Sequence, residues 1–252
     1  MCVVAFAWNL HPRWRLALAG NRDEFHARPT AALAAWAGNG VIAGRDLQSG
    51  GTWLGFDRRG RVAVVTNVRE GLAGPHAGPS RGALPLAFLA GSGDAAGRAR
   101  ALLADAEAYA PFNLMLADDA GCWHLGNRPR QAEPLPPGVH GISNGRLDAP
   151  WPKTRHLVAG LQAWLADGRA DLQPLWQALA DERIAYDAEL PDTGIGLDLE
   201  RRLSPAFIRG AAYGTRASTI VLVDKDGRGL VHERRFGPEG AFAGETILHN
   251  DA

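Results

Sequence analysis

Residues 2–25 read Cys-Val-Val-Ala-Phe-Ala-Trp-Asn-Leu-His-Pro-Arg-Trp-Arg-Leu-Ala-Leu-Ala-Gly-Asn-Arg-Asp-Glu-Phe. Cys2–Trp8 is apolar and partly β-branched, and reads as a strand. Arg13–Ala19 alternates and reads as a second strand, with turn chemistry in Asn9-Leu10-His11-Pro12 between them. The pair is expected to be a β-hairpin. With the turn centred near Leu10–Pro12, paired residue numbers sum to roughly 22–24, which sets Cys2 beside Gly20–Arg22. The polar cluster Asn21-Arg22-Asp23-Glu24 then arrives next to the chain's N-terminus.

Outward from this hairpin, further strands are expected at Gly40–Ala43, Thr52–Phe56, Arg61–Thr66, Phe112–Leu116, Cys122–Gly126, Val139–Ser143, Ser218–Val223 and Leu230–Arg235. Asp57-Arg58-Arg59-Gly60 and Asp224-Lys225-Asp226-Gly227 are hairpin turns. Helices are expected at Leu84–Leu89, Ala95–Ala108, Pro152–Asp167 and Asp171–Asp181, and Gly71–Gly82 and Gly126–Gly138 read as loops. Many hairpins and few helices favour stacked antiparallel sheets covered by helices over a doubly wound parallel sheet. With no internal repeat and no separating linker, residues 1–252 are read as a single domain.

The 252 residues carry 27 Lys+Arg against 27 Asp+Glu, so neither nucleic acid nor an anionic membrane is the expected partner. No run reaches the ~18 apolar residues of a membrane span, so no integral membrane segment is expected. The first residues lack a basic secretory n-region, and the expected location is the cytoplasm. The 2 cysteines, Cys2 and Cys122, fit neither a disulfide framework nor metal spacing. Cys122 reads as a small buried apolar residue.

Cys2 is different. Removal of Met1 would leave a residue carrying both an α-amine, of ordinary pKa ~7.7–8.0, and a thiol. The amine can take the thiol proton, so nucleophile and base reside on one residue. Beside it, Asp23 can hold the ammonium, Asn21 can hydrogen-bond near the thiol, and Arg22 supplies positive charge. Three more segments can complete a site. Asn67 ends a strand and could face a developing oxyanion, as could Asn144 in Ser143-Asn144-Gly145. Arg216, at the start of a strand, could bind a substrate carboxylate or favour the thiolate. Each of these also has a plain structural explanation: a solvated loop for residues 21–24, turn residues for Asn67 and Asn144, a surface arginine for Arg216. His26 could line a pocket or be exposed, and Trp53 packs in the core or flanks the site. Gly50-Gly51 is a tight turn and not a nucleotide loop. The 8 histidines are scattered without zinc spacing, so no metal or other cofactor is expected.

Met1-Cys2, Asn21-Arg22-Asp23-Glu24-Phe25, Arg28-Pro29, Gly50-Gly51-Thr52-Trp53-Leu54-Gly55, Thr66-Asn67, Ser80-Arg81-Gly82, Phe112-Asn113-Leu114, Ser143-Asn144, Pro150-Trp151-Pro152-Lys153, Leu190-Pro191-Asp192-Thr193-Gly194 and Tyr213-Gly214-Thr215-Arg216 resemble the NRDE family, also called the transport and Golgi organization protein 2 family. That family is more distantly similar to N-terminal-nucleophile (Ntn) hydrolases of the choloylglycine hydrolase and penicillin acylase type. The resemblance implies an α+β fold, a four-layer αββα sandwich of antiparallel sheets. It also implies Cys2 as nucleophile, Asp23 as its partner, Asn67 and Asn144 as oxyanion groups and Arg216 as the arginine near the nucleophile. The bile-salt enzymes have an Arg before the Asn of the second strand where this chain has Gly20, which leaves the substrate open.

Two functions are expected from this. One is a cysteine amidohydrolase or acyltransferase acting on an amide or related acyl C–N bond, with Asn21, Arg22, His26 and Trp53 around the substrate. The other, implied by the family's eukaryotic members, is a non-catalytic protein that handles a hydrophobic ligand such as acyl-CoA or haem.

Overall fold

The computed structural model describes residues 2–72, 74, 76–168 and 170–250; the expected removal of Met1 therefore lies outside the described residues. Its strands are β1 (Cys2–Trp8), β2 (Trp14–Phe25), β3 (Thr30–Ala35), β4 (Val41–Asp46), β5 (Leu54–Asp57), β6 (Val62–Asn67), β7 (Phe112–Ala117), β8 (Cys122–Asn127), β9 (Arg130–Pro134), β10 (Gly138–Ile142), β11 (Tyr213–Asp224), β12 (Gly229–Phe236) and β13 (Phe242–His249). The helices are α1 (Ala83–Leu89), α2 (Ala95–Ala104), α3 (Pro152–Asp167), α4 (Gln173–Leu179) and α5 (Leu197–Arg202). A 6-stranded sheet has the order β10-β1-β2-β11-β12-β13, and a 7-stranded sheet runs β3 to β9 in sequence order.

Strand alternation explains the layers. In β1, Val4, Phe6 and Trp8 enter the core between the sheets with Phe56, Val64 and Met115, while Val3, Ala5 and Ala7 pack with Leu157, Leu161 and Trp164 of α3 and Leu175 of α4. In β6 and β7 the alternation repeats: Val62, Val64 and Met115 face inward, and Ala63, Val65, Leu114 and Leu116 lie under Leu84 and Phe88 of α1 and Ala99 of α2. Both faces of each sheet are buried, so the chain forms a four-layer αββα sandwich whose strand pairings are antiparallel. Cys122 is a buried member of the inter-sheet core. The end of α3 is set by Gly168 at φ +68°, a left-handed conformation suited to glycine.

Several segments differ from their sequence reading: α5 was not expected, and the helix expected over Ala95–Ala108 ends at Ala104, followed by a separate short 3-10 turn at Ala106–Ala108. β2 runs on to Phe25 because its polar residues pair with β11 instead of turning into solvent. Strands β3, β9 and β13 lie at sheet edges, where one side goes unpaired and apolar alternation is weak. Strand β9 falls inside the stretch 126–138 read as a loop.

Candidate functional site

The hairpin register sets Cys2 opposite Arg22, within the expected range. By alternation Cys2 shares the inter-sheet face of Val4 and Phe6 and stands at the end of that core, where it is buried. The turn after β10 reaches this end from the side. Ser143 Oγ donates to Cys2 O at 3.0 Å, and Thr66 Oγ1 donates to Ser143 O at 2.7 Å. Asn144, fully buried, donates through Nδ2 to Asn67 Oδ1 at 2.9 Å and to Asn67 O at 3.2 Å. Arg69 N donates to Asn144 O at 2.8 Å. Both sheets are thus stitched together beside the thiol. Asn144's donors are engaged in holding Asn67, whereas Asn67 Nδ2 donates to no protein atom among the described residues.

Burial pushes the Cys2 thiol above its ordinary pKa; Asp23 pushes the same way and Arg22 opposes. Asp23, also buried, accepts from Thr215 Oγ1 at 2.7 Å. Burial raises its carboxyl pKa against the pull of Lys153, Thr215 and Arg22. The Lys153 ammonium is itself buried, donates to Leu203 O at 3.0 Å, and is lowered by burial to about 8. Arg81 and Tyr213 also feel the thiol; burial lowers the first and raises the second. Arg22 is held by the Trp53 ring at 4.6 Å, by Asp46 at 3.8 Å and by Glu24 at 3.9 Å. Trp53, partly buried against the inter-sheet core, therefore supports Arg22.

Three of the residues expected at the site lie elsewhere. Asn21 faces the helices: its Nδ2 donates to Leu179 O at 2.8 Å and Ala206 O at 2.7 Å, and its Oδ1 accepts from Ser218 Oγ at 2.6 Å. Strand alternation turned it away from the face that carries Arg22. Arg216 sits in a bulge of β11 between Thr215 and Ala217 and donates to Phe25 O at 2.9 Å and Arg28 O at 3.1 Å. It is not among the groups that weigh most on the thiol. His26 Nε2 donates to Gly210 O at 3.1 Å, and burial together with Arg216 lowers its pKa.

Sequence reasoning did not assign Arg69, Arg81, Lys153, Glu200 or Tyr213 to the site. Arg81, Lys153 and Tyr213 lay in quoted motifs, which was the available signal. The buried Arg69–Glu200 ion pair spans the chain and left none; Glu200 also accepts from Thr193 Oγ1 at 2.6 Å.

A cavity of about 1080 Å³ opens beside this cluster. Asn67, Arg69, Arg81 and Tyr213 line its polar part, and Leu72, Ile184, Ile195, Leu199 and Phe25 its apolar part. Cys2 is not on its wall, but Arg81 and Tyr213, which lie within electrostatic reach of the thiol, are. Among the described residues no group of three His, Cys, Asp or Glu could hold a metal ion, and no helix is long and apolar enough to cross a membrane.

Solved structures similar in arrangement include penicillin V acylase from Agrobacterium tumefaciens, at 14% identity and TM-score 0.43 over 93% of this chain and 83% of that one. Another is the Caenorhabditis elegans ortholog of N-acylethanolamine-hydrolyzing acid amidase, at 12% identity and TM-score 0.49 over 88% and 92%. In sequence, the chain is 33% identical to the Transport and Golgi organization protein 2 homolog of Bos taurus over 99% of this chain and 98% of that protein. It is 35% identical to the Homo sapiens homolog over 93% and 92%. The family model Transport and Golgi organisation 2 matches residues 1–238, and the chain belongs to that family.

Proposed function

We propose that Cys2, once Met1 is removed, is an N-terminal nucleophile acting on an amide or related acyl C–N bond. The observation that carries this is the meeting of Cys2, Arg22 and Asp23 with the Asn67–Asn144 pair at one end of both sheets. The α-amine takes the thiol proton as sulfur attacks the carbonyl carbon. Asn67 Nδ2 donates to the oxyanion while Asn144 fixes its orientation. The ammonium returns its proton to the leaving nitrogen as the C–N bond breaks, giving a thioester and a free amine. Water then attacks the thioester, releasing the acid and restoring the thiol. The raised thiol pKa makes the adjacent base necessary, since the resting sulfur is neutral. Asp23 orients the amine, and Arg22 favours developing thiolate. The apolar part of the large cavity would take the acyl chain. Untagged protein should release amine from a panel of N-acyl amides, and Cys2→Ala should abolish it. Turnover unchanged in Cys2→Ala refutes the reading.

The apolar cavity wall also favours a second reading, in which the same space carries an acyl-CoA or haem without turnover. In that case ligand binding survives alkylation of Cys2, and no amide is cleaved.

A further inference from the structure

A second cavity, of about 370 Å³, lies beyond the wall formed by Phe207 and the Arg209–Glu182 pair, which it shares with the large one. Its sides are aromatic. Phe207 and Phe236 meet edge to face with centroids 4.9 Å apart, and Phe236 and Phe242 follow at 6.2 Å. Trp176 completes the ring and carries the Arg234 guanidinium 4.2 Å from its centroid.

Arg234 is oriented by two contacts. Trp176 fixes its plane, and Glu245 takes its Nε at 3.2 Å. Among the described residues its two Nη groups donate to no protein atom. They form a donor fork on a wall that also carries Phe236, Phe242 and the Arg209–Glu182 pair. The carboxylates nearby are Glu245, which also accepts from His232 Nε2 at 3.1 Å, and Glu182, which holds Arg209 at 2.9 and 2.6 Å. Each retains lone pairs for a further donor. Two arginines and two glutamates leave the pocket without net formal charge, so a neutral ligand suits it better than an ion.

We propose that this cavity binds a 6-oxopurine base or nucleoside. The base plane lies against the exposed Phe242 ring, O6 and N7 accept from the Arg234 fork, and the ring N–H donates to a wall carboxylate. Adenine presents an amino donor where the fork requires an acceptor, and is disfavoured. The assignment is independent of chemistry at Cys2.

Isothermal titration of the full chain with inosine and adenosine tests it. Inosine should bind saturably, and adenosine about tenfold more weakly. Arg234→Gln should erase the preference, and Cys2→Ser should leave inosine affinity unchanged. Phe242 is 63% exposed, so Phe242→Ala should fold normally and weaken both nucleosides. Absent inosine binding, equal affinity for adenosine, or a preference that survives Arg234→Gln overturns the proposal. Loss of inosine binding on alkylation of Cys2 overturns it too, because the assignment places the ligand away from the thiol.

Discussion

Lys153 occupies the first turn of α3, where helix N–H groups already disfavour a cation, and it is buried. Burial brings its ammonium from 10.5 to about 8 despite the nearby Asp23. That drop corresponds to ~3 kcal/mol of native-state cost whenever the side chain is held charged. Below about pH 8 both folded and unfolded chains carry the proton, and the cost is present in full. Between about 8 and 10.5 the unfolded chain binds more protons, so stability rises with pH; above 10.5 the cost is gone. Lys153→Met removes the titrating group at similar volume. Urea unfolding of both proteins at about pH 7 and about pH 10.5 should show wild type gaining ~3 kcal/mol relative to the variant. A difference constant within ~0.5 kcal/mol across that window refutes the reading of Lys153 as a buried, depressed ammonium.

Asn21→Ala strands two buried carbonyls and the Ser218 hydroxyl and should cost ~3–5 kcal/mol in urea unfolding; a cost under ~1 kcal/mol would contradict its helix-facing role. His140 Nδ1 lies 2.9 Å from Asp148, which holds the imidazole pKa above its usual 6.5 and the carboxyl below 3.8. Its stabilisation, ~1 kcal/mol after solvent screening, should be full between those values, fade as pH rises through the folded histidine pKa, and vanish in Asp148→Asn. Arg22→Gln should slow alkylation of Cys2 at neutral pH roughly threefold, because it removes a charge that opposes the raised thiol pKa; an unchanged rate would remove Arg22 from the site.

The first hairpin was legible because apolar alternation and a polar turn fixed its register, and Cys2 pairs with Arg22 as that register requires. The helix over Pro152–Asp167 was equally plain, with Leu157, Leu161 and Trp164 on one buried face. Edge strands escaped notice: Thr30–Ala35 and Phe242–His249 bury few side chains, so selection for alternation is weak. Asn21 misled because proximity in sequence to Arg22 says nothing about face; one residue along a strand reverses it. The Arg69–Glu200 pair and the electrostatic reach of Lys153 to Asp23 arise from long-range packing, to which local pattern gives no access.

Intact-mass analysis of untagged protein, before and after one equivalent of iodoacetamide, bears most directly on whether Cys2 is an N-terminal nucleophile. The account requires a chain lighter by one methionine and a single carbamidomethyl group on Cys2, with Cys122 untouched in its apolar interior. Retained Met1, or a Cys2 that stays unmodified while Cys122 reacts, would contradict it.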